Sequence, residues 1–155
     1  MFKKIVWATD GSETADRSLP FVRDLLNEHD ASLLVIHCEE RSMGARANFT
    51  VHPDEGELQA KIKRQVDEMS NRGIDVKYRL VSTTAGGAAH RIAELALEEK
   101  ADLIVVGTRG HTAVGSLLLG SVTQRLLHLG VAPVLAVPSV RHPAAAPKRE
   151  VEFAS

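Results

Sequence analysis

The residues best placed to do chemistry lie between Val105 and Leu127, in the run VVGTRGHTAVGSLLLGSVTQRLL. A strand-like apolar stretch enters a segment holding Gly107, Gly110, Gly115 and Gly120, and a helical stripe leaves it. Glycine weakens helices and strands, so each one needs a reason in backbone geometry or in something laid against the backbone. Gly107 and Gly110 can take positive φ and turn N–H groups outward. Gly120 and Ser121 open a helix, whose first turn carries N–H groups without an internal acceptor and a partial positive charge. Together these make an anion cradle, most simply for phosphates. Ser121 adds a hydroxyl donor and Arg109 a cation suited to phosphate. Gly115 reads as a hinge inside the loop.

Elements on either side must position this cradle. KKIVWATD reads as a first strand, closed by the turn residues Asp10, Gly11 and Ser12, with Ser12 as a helix N-cap. Ala15, Leu19, Val22, Leu25 and Leu26 then form one helical stripe. ASLLVIHC is a second strand, apolar on both faces as in a parallel sheet. Residues 39–56 read as a long polar loop, and Leu58, Ile62, Val66 and Met69 as a second helix. IDVKYRLV is a third strand, HRIAELALEEKA a third helix, DLIVVG a fourth strand, SVTQRLLHLG a fourth helix and APVLAVP a fifth strand. Strict alternation predicts an α/β doubly wound sandwich, a five-stranded parallel sheet in the order 3-2-1-4-5 with helices on both faces. Ligands of such sheets lie at the carboxyl ends of the strands, at the switch point. Ala8, Thr9 and Asp10 should meet the segment after Gly107 there.

Composition narrows the classes. The chain has 155 residues, 44% hydrophobic and 25% charged, with a formal net charge of -1. That suits one globular domain, expected over residues 1–138, with the Pro- and Ala-rich residues 139–155 as a disordered tail. The charge gives no reason to expect nucleic acid or a membrane surface as partner. No apolar run reaches the length of a membrane span, and the start lacks the long apolar region of a secretory signal. A lone cysteine, Cys38, allows no intramolecular disulfide and fits a reducing, cytoplasmic setting. His29, His52, His90, His128 and His142 share no metal-ligand spacing. His37, inside an apolar strand, reads as a hydrogen-bonded core histidine.

Gly107-x-x-Gly110, nine residues, then Gly120-Ser121 matches the G-2x-G-9x-G-[S/T] signature, and the chain resembles the ATP-binding branch of the universal stress protein family. The likeness extends through KKIVWATDGSETADRSL, LLVIHC, ADLIVVGTRGHTAVGSLLLGSVTQRLL and APVLAVP. It implies that Ala8, Thr9 and Asp10 line a nucleotide site, with Asp10 near ribose and phosphates and able to help hold Mg²⁺ through water. It implies that the backbone of Cys38 faces adenine and that Val106 packs near base or sugar. Gly107, Arg109, Gly110, Gly120, Ser121, Val122 and Thr123 would surround ribose and phosphates. It further implies a homodimer through the last strand, Val134 to Val137, and a role in stress response. Ala8 departs from the proline that many relatives carry.

Three other functions compete. An ATPase or autophosphorylating enzyme, with Ser121 or Thr123 as acceptor, would need catalytic groups that Asp10 and Arg109 alone do not supply, and there is no G-x-x-x-x-G-K-[ST]. A flavin protein would want aromatics at the site, yet Trp7 and Tyr78 both fall in strands. A pure scaffold has no use for the glycine spacing. A nucleotide-binding regulatory module without an assigned catalytic residue fits best.

Overall fold

β-branched and other apolar runs occupy the centre of the sheet, where both faces are covered. In the computed structural model, which describes residues 1–44, 49–108 and 119–138, β1 (Lys4–Ala8) lies between β2 (Ser32–Met43) and β5 (Leu103–Gly107) and is parallel to both. β4 (Val76–Thr84) extends the sheet beyond β2, and β6 (Val134–Val137) extends it beyond β5. The five parallel strands therefore run β4-β2-β1-β5-β6, the 3-2-1-4-5 order of the alternating pattern. A sixth strand was not foreseen. β3 (Phe49–Thr50) pairs antiparallel with the far end of β2, Ser42 opposite Thr50 and Met43 opposite Phe49.

Five helices complete the described chain: α1 (Glu13–Asp16), α2 (Leu19–His29), α3 (Glu55–Asn71), α4 (Ala88–Glu98) and α5 (Ser121–Leu129). The single helix expected from Glu13 onward is two. Pro20 has no N–H to donate and sits in the first turn of α2, while the Ser18 hydroxyl donates to the Ala15 carbonyl at 2.6 Å. The loop expected over residues 39–56 is also corrected. Glu39, Glu40 and Arg41 continue β2 because β4 runs on beside them, pairing Ser82, Thr83 and Thr84 with those three residues. α3 starts at Glu55, a turn earlier than its apolar stripe.

Alternate residues of each strand point to opposite faces and build two cores. Ile5, Trp7, Leu33, Val35, Leu103 and Val105 pack with Val22, Leu26, Ile62 and Met69 from α2 and α3. Val6, Leu34, Ile36, Ile104 and Val106 pack with Ala89, Ile92, Ala93, Ala96 and Leu126 from α4 and α5. Trp7 is fully buried, and its indole N–H donates to the Ser18 hydroxyl at 2.8 Å. Among the described residues no helix is long and apolar enough to cross a membrane.

Candidate functional site

The carboxyl end of β1 turns through an Asx motif. The Asp10 Oδ1 atom accepts the Ser12 N–H at 2.9 Å and the Ser12 hydroxyl at 2.6 Å. The same Ser12 oxygen accepts the Ala15 N–H at 3.2 Å and so caps α1. Gly11 sits at φ 77°, a left-handed value that favours glycine. Across the switch point, the Thr108 N–H donates to the Val137 carbonyl at 2.9 Å and the Gly120 N–H to the Thr108 carbonyl at 2.6 Å. The two ends of the glycine-containing loop are thereby drawn together at the edge of the sheet. Thr123 Oγ1 donates to the Gly107 carbonyl at 2.9 Å and fixes the start of α5 against the end of β5.

Between these features lies a cavity of about 480 Å³. That volume is within the range of small-ligand pockets. Ala8, Thr9 and Asp10 line it from β1, Cys38 from β2, Val106 and Gly107 from β5, and Gly120, Ser121, Val122 and Thr123 from α5. Arg109 and Gly110 lie outside the described residues. The ten other residues picked from the sequence thus share one cavity.

The geometry corrects the expected role of Gly107 and refines that of Gly120, which opens α5 as expected. Gly120 has φ −58° and ψ 151°, values open to any residue, and Gly107 ends an extended strand rather than turning through positive φ. The Gly120 N–H is also engaged, by Thr108. The receptive donors are one step further on. The first intrahelical bond of α5 runs from the Gln124 N–H to the Gly120 carbonyl at 3.0 Å, so the N–H groups of Ser121, Val122 and Thr123 precede any intrahelical acceptor. Glycine at 120 leaves the space before them free of a Cβ. No lysine or arginine appears in the described wall of the cavity. An anion here would meet backbone N–H groups and the positive end of the α5 dipole.

The sequence reading missed one side of the cavity. Ile36, Glu40 and Ser42 line it along with Cys38, and Ala88 and Ile92 do so from α4. The two-residue period of β2 and the i,i+4 spacing in α4 are signals that could have found these five. Thr50, Val51, His52 and Glu55 also line it, beside the antiparallel pairing of β3 with β2. His37 is a core histidine, 2% exposed, yet it forms part of the cavity floor. Its Nδ1 meets the Thr9 carbonyl at 2.9 Å and its Nε2 a carboxylate oxygen of Glu55. Burial, and then the negative charge of Glu40, push the Cys38 thiol up to about 11, so the side chain is a small neutral group rather than a nucleophile.

For a magnesium ion the donor set is sparse. Among the described residues no three His, Cys, Asp or Glu side chains cluster as ligands. Asp10 at the cavity wall offers a single carboxylate, which suits an ion held mainly by phosphate oxygens and water.

The family model for universal stress proteins matches residues 1–138. A universal stress protein encoded in the QAH/OAS sulfhydrylase 3′ region of Thermus aquaticus is 37% identical over 138 residues, covering 88% of this chain and 99% of its own. Universal stress protein MJ0577 of Methanocaldococcus jannaschii is 29% identical, covering 88% of this chain and 95% of its own. The solved structure of MJ0577 matches with a TM-score of 0.67 at 26% identity, over 92% of this chain and 99% of that one. A universal stress protein crystallised in complex with cAMP matches with a TM-score of 0.65 at 26% identity, over 90% of this chain and 98% of that one.

Proposed function

The chain belongs to the universal stress protein family, and on that premise we propose that it is a regulatory module that binds ATP in the cavity at the carboxyl ends of β1, β2 and β5. The observation that carries this reading is the meeting of the Thr9–Asp10 turn and the open first turn of α5 across one cavity of nucleotide size. The α5 N–H groups suit phosphates. Ala8, Ile36, Ala88, Ile92, Val106 and Val122 offer apolar surface for a flat base. The cAMP held by a structural neighbour supports an adenine nucleotide. Gly110, through the glycine spacing, and Arg109, through its charge, would meet the phosphates. Asp10 would hold Mg²⁺ through water, and the ion would neutralise phosphate charge.

In this reading residues 1–138 are the binding domain and the protein works as a homodimer in the cytoplasm. β6 supports the dimer: it pairs with β5 on one side, and among the described residues no strand pairs with its other side. An edge carrying Val134, Leu135 and Val137 invites a second copy. The test is to purify the protein without added nucleotide, denature it and identify released small molecules by mass spectrometry, then titrate the stripped protein with ATP, ADP and AMP by calorimetry. ATP recovered near one per chain, or saturable ATP binding, is expected. An empty cavity that also fails to bind all three nucleotides overturns the proposal.

A further inference from the structure

α3 reaches the floor of the cavity through side chains that the glycine motif does not include. His37 Nδ1 faces the Thr9 carbonyl, which can only accept, so Nδ1 carries a proton. Nε2 faces Glu55, the first residue of α3, so a second proton lies between imidazole and carboxyl. The pair is neutral as a whole whichever partner holds that proton. Both side chains are buried, and the Gln59 side-chain N–H donates to the same Glu55 oxygen at 3.0 Å. On β4, burial and then the charge of Glu55 push the Tyr78 hydroxyl up.

The same helix grips the turn a second time. Lys61 donates to the Gly11 carbonyl at 2.8 Å and pairs with Asp16. Leu58 packs so closely that a Cβ at Gly11 would lie 3.1 Å from its Cβ. Inside the turn, the Gly11 N–H donates to the Thr9 hydroxyl at 3.1 Å, and the Thr9 N–H is held by the Ile36 carbonyl at 3.0 Å. Thr9 and Gly11 therefore each have a carbonyl fixed from the α3 side, with Asp10 between them.

We propose that His37 and Glu55 are positioning residues for the nucleotide site: the proton-sharing pair ties the Thr9 carbonyl to α3 and so sets where Asp10 stands. This rests on the nucleotide-binding reading of the cavity. Lys61 completes the clamp from the other side of Asp10. Neither His37 nor Glu55 needs to touch the ligand for this. Glu55→Gln is the informative variant, because a glutamine amide can donate to an unprotonated Nε2 while Nδ1 keeps its proton on Thr9.

ATP affinity by calorimetry and amide hydrogen exchange of the nucleotide-free protein test the clamp together. Glu55→Ala should weaken ATP binding about tenfold, the equivalent of losing one buried hydrogen bond to a charged group. It should also speed exchange of the Gly11 and Ser12 amides by a similar factor while the β1 and β5 amides stay protected. Glu55→Gln should recover most of both. In wild type, ¹⁵N spectra of the His37 ring should show a protonated Nδ1. Wild-type affinity and exchange in Glu55→Ala would overturn the proposal. So would a Glu55→Gln variant as impaired as Glu55→Ala, because charge rather than the bond to His37 would then be what matters. Should wild type bind no adenine nucleotide, the functional reading falls, and exchange at Gly11 and Ser12 with the His37 signature still decides whether the clamp exists.

Discussion

On the β1 side of the cavity, the Thr9 N–H and carbonyl, Asp10 Oδ1 and the Ser12 hydroxyl each have a protein partner. On the α5 side, the N–H groups of Ser121, Val122 and Thr123 come before the first intrahelical bond, and Gly120 offers no side chain to cap them. One wall is finished by the protein and the other is left for a ligand. A site with two finished walls would have little to offer an anion, and one with two open walls would carry the desolvation cost of many unpaired donors. Damage to the β1 wall should therefore appear mainly as lost stability or lost placement. Damage to the α5 wall should appear as lost binding on an intact fold.

The sharpest attempt to break this contrast is Gly120→Val. The φ and ψ of Gly120 are open to valine, so the fold should survive with a change in Tm of no more than about 4 °C. The new side chain stands before the α5 donors, and the Kd for ATP should rise about 100-fold or more by calorimetry. Unchanged affinity would mean that the α5 wall is not the phosphate site. Outside the cavity, in the core that carries β1, Ser18→Ala leaves the indole N–H of the fully buried Trp7 without its acceptor. That should cost ~1–3 kcal/mol in denaturant unfolding, with ATP affinity within about twofold of wild type. A Ser18→Ala protein that loses binding but not stability would invert the comparison. Thr123→Val tests the join between the walls. It keeps side-chain shape but removes the hydroxyl that holds α5 to Gly107. About 1 kcal/mol of stability and about fivefold in affinity should go together, because the same bond supports the fold and aims the donors.

How much of this could be seen in the sequence differs between the walls for a physical reason. The α5 wall is local: Gly107, Gly120 and Ser121 are linked by one short stretch of chain, and their spacing marks a loop ending at a helix. The order of the parallel strands was legible too, because the continuous apolar runs of β1, β2 and β5 leave little choice but the middle of the sheet. The finished wall depends on distant partners. Glu55 lies 18 residues beyond His37, across a segment that looks like polar loop until β4 is known to run beside Glu39, Glu40 and Arg41. Its role comes from tertiary pairing, which periodicity does not report. The glycines were legible as a motif but not in their mechanism. Among the described residues of this site Gly11 takes positive φ, whereas Gly120 serves by lacking a side chain.

Cys38 offers the smallest effect and a finer test. It lies on β2, beside β1, and lines the same cavity, half-buried. Burial and the Glu40 charge raise its thiol from 9.0 to about 11. At pH 7 only about one molecule in ten thousand would then carry the thiolate, the form that reacts. Iodoacetamide at neutral pH should leave the native protein unmodified by mass spectrometry while labelling it fully in denaturant. Reactivity should climb as pH rises toward 11. Stability should move the opposite way: between about pH 9 and 11 the unfolded chain gives up a thiol proton that the folded chain keeps, so unfolding becomes easier as pH rises through that window. Replacing the thiol with the apolar group of alanine should remove the thiol's share of that slope, leaving the share of the raised Tyr78 hydroxyl, and leave neutral-pH stability and ATP affinity nearly unchanged, since the backbone of Cys38 remains. A Cys38→Ala protein with clearly weakened ATP binding would assign the sulfur itself a contact in the cavity and would add a third, side-chain-dependent surface to the two walls.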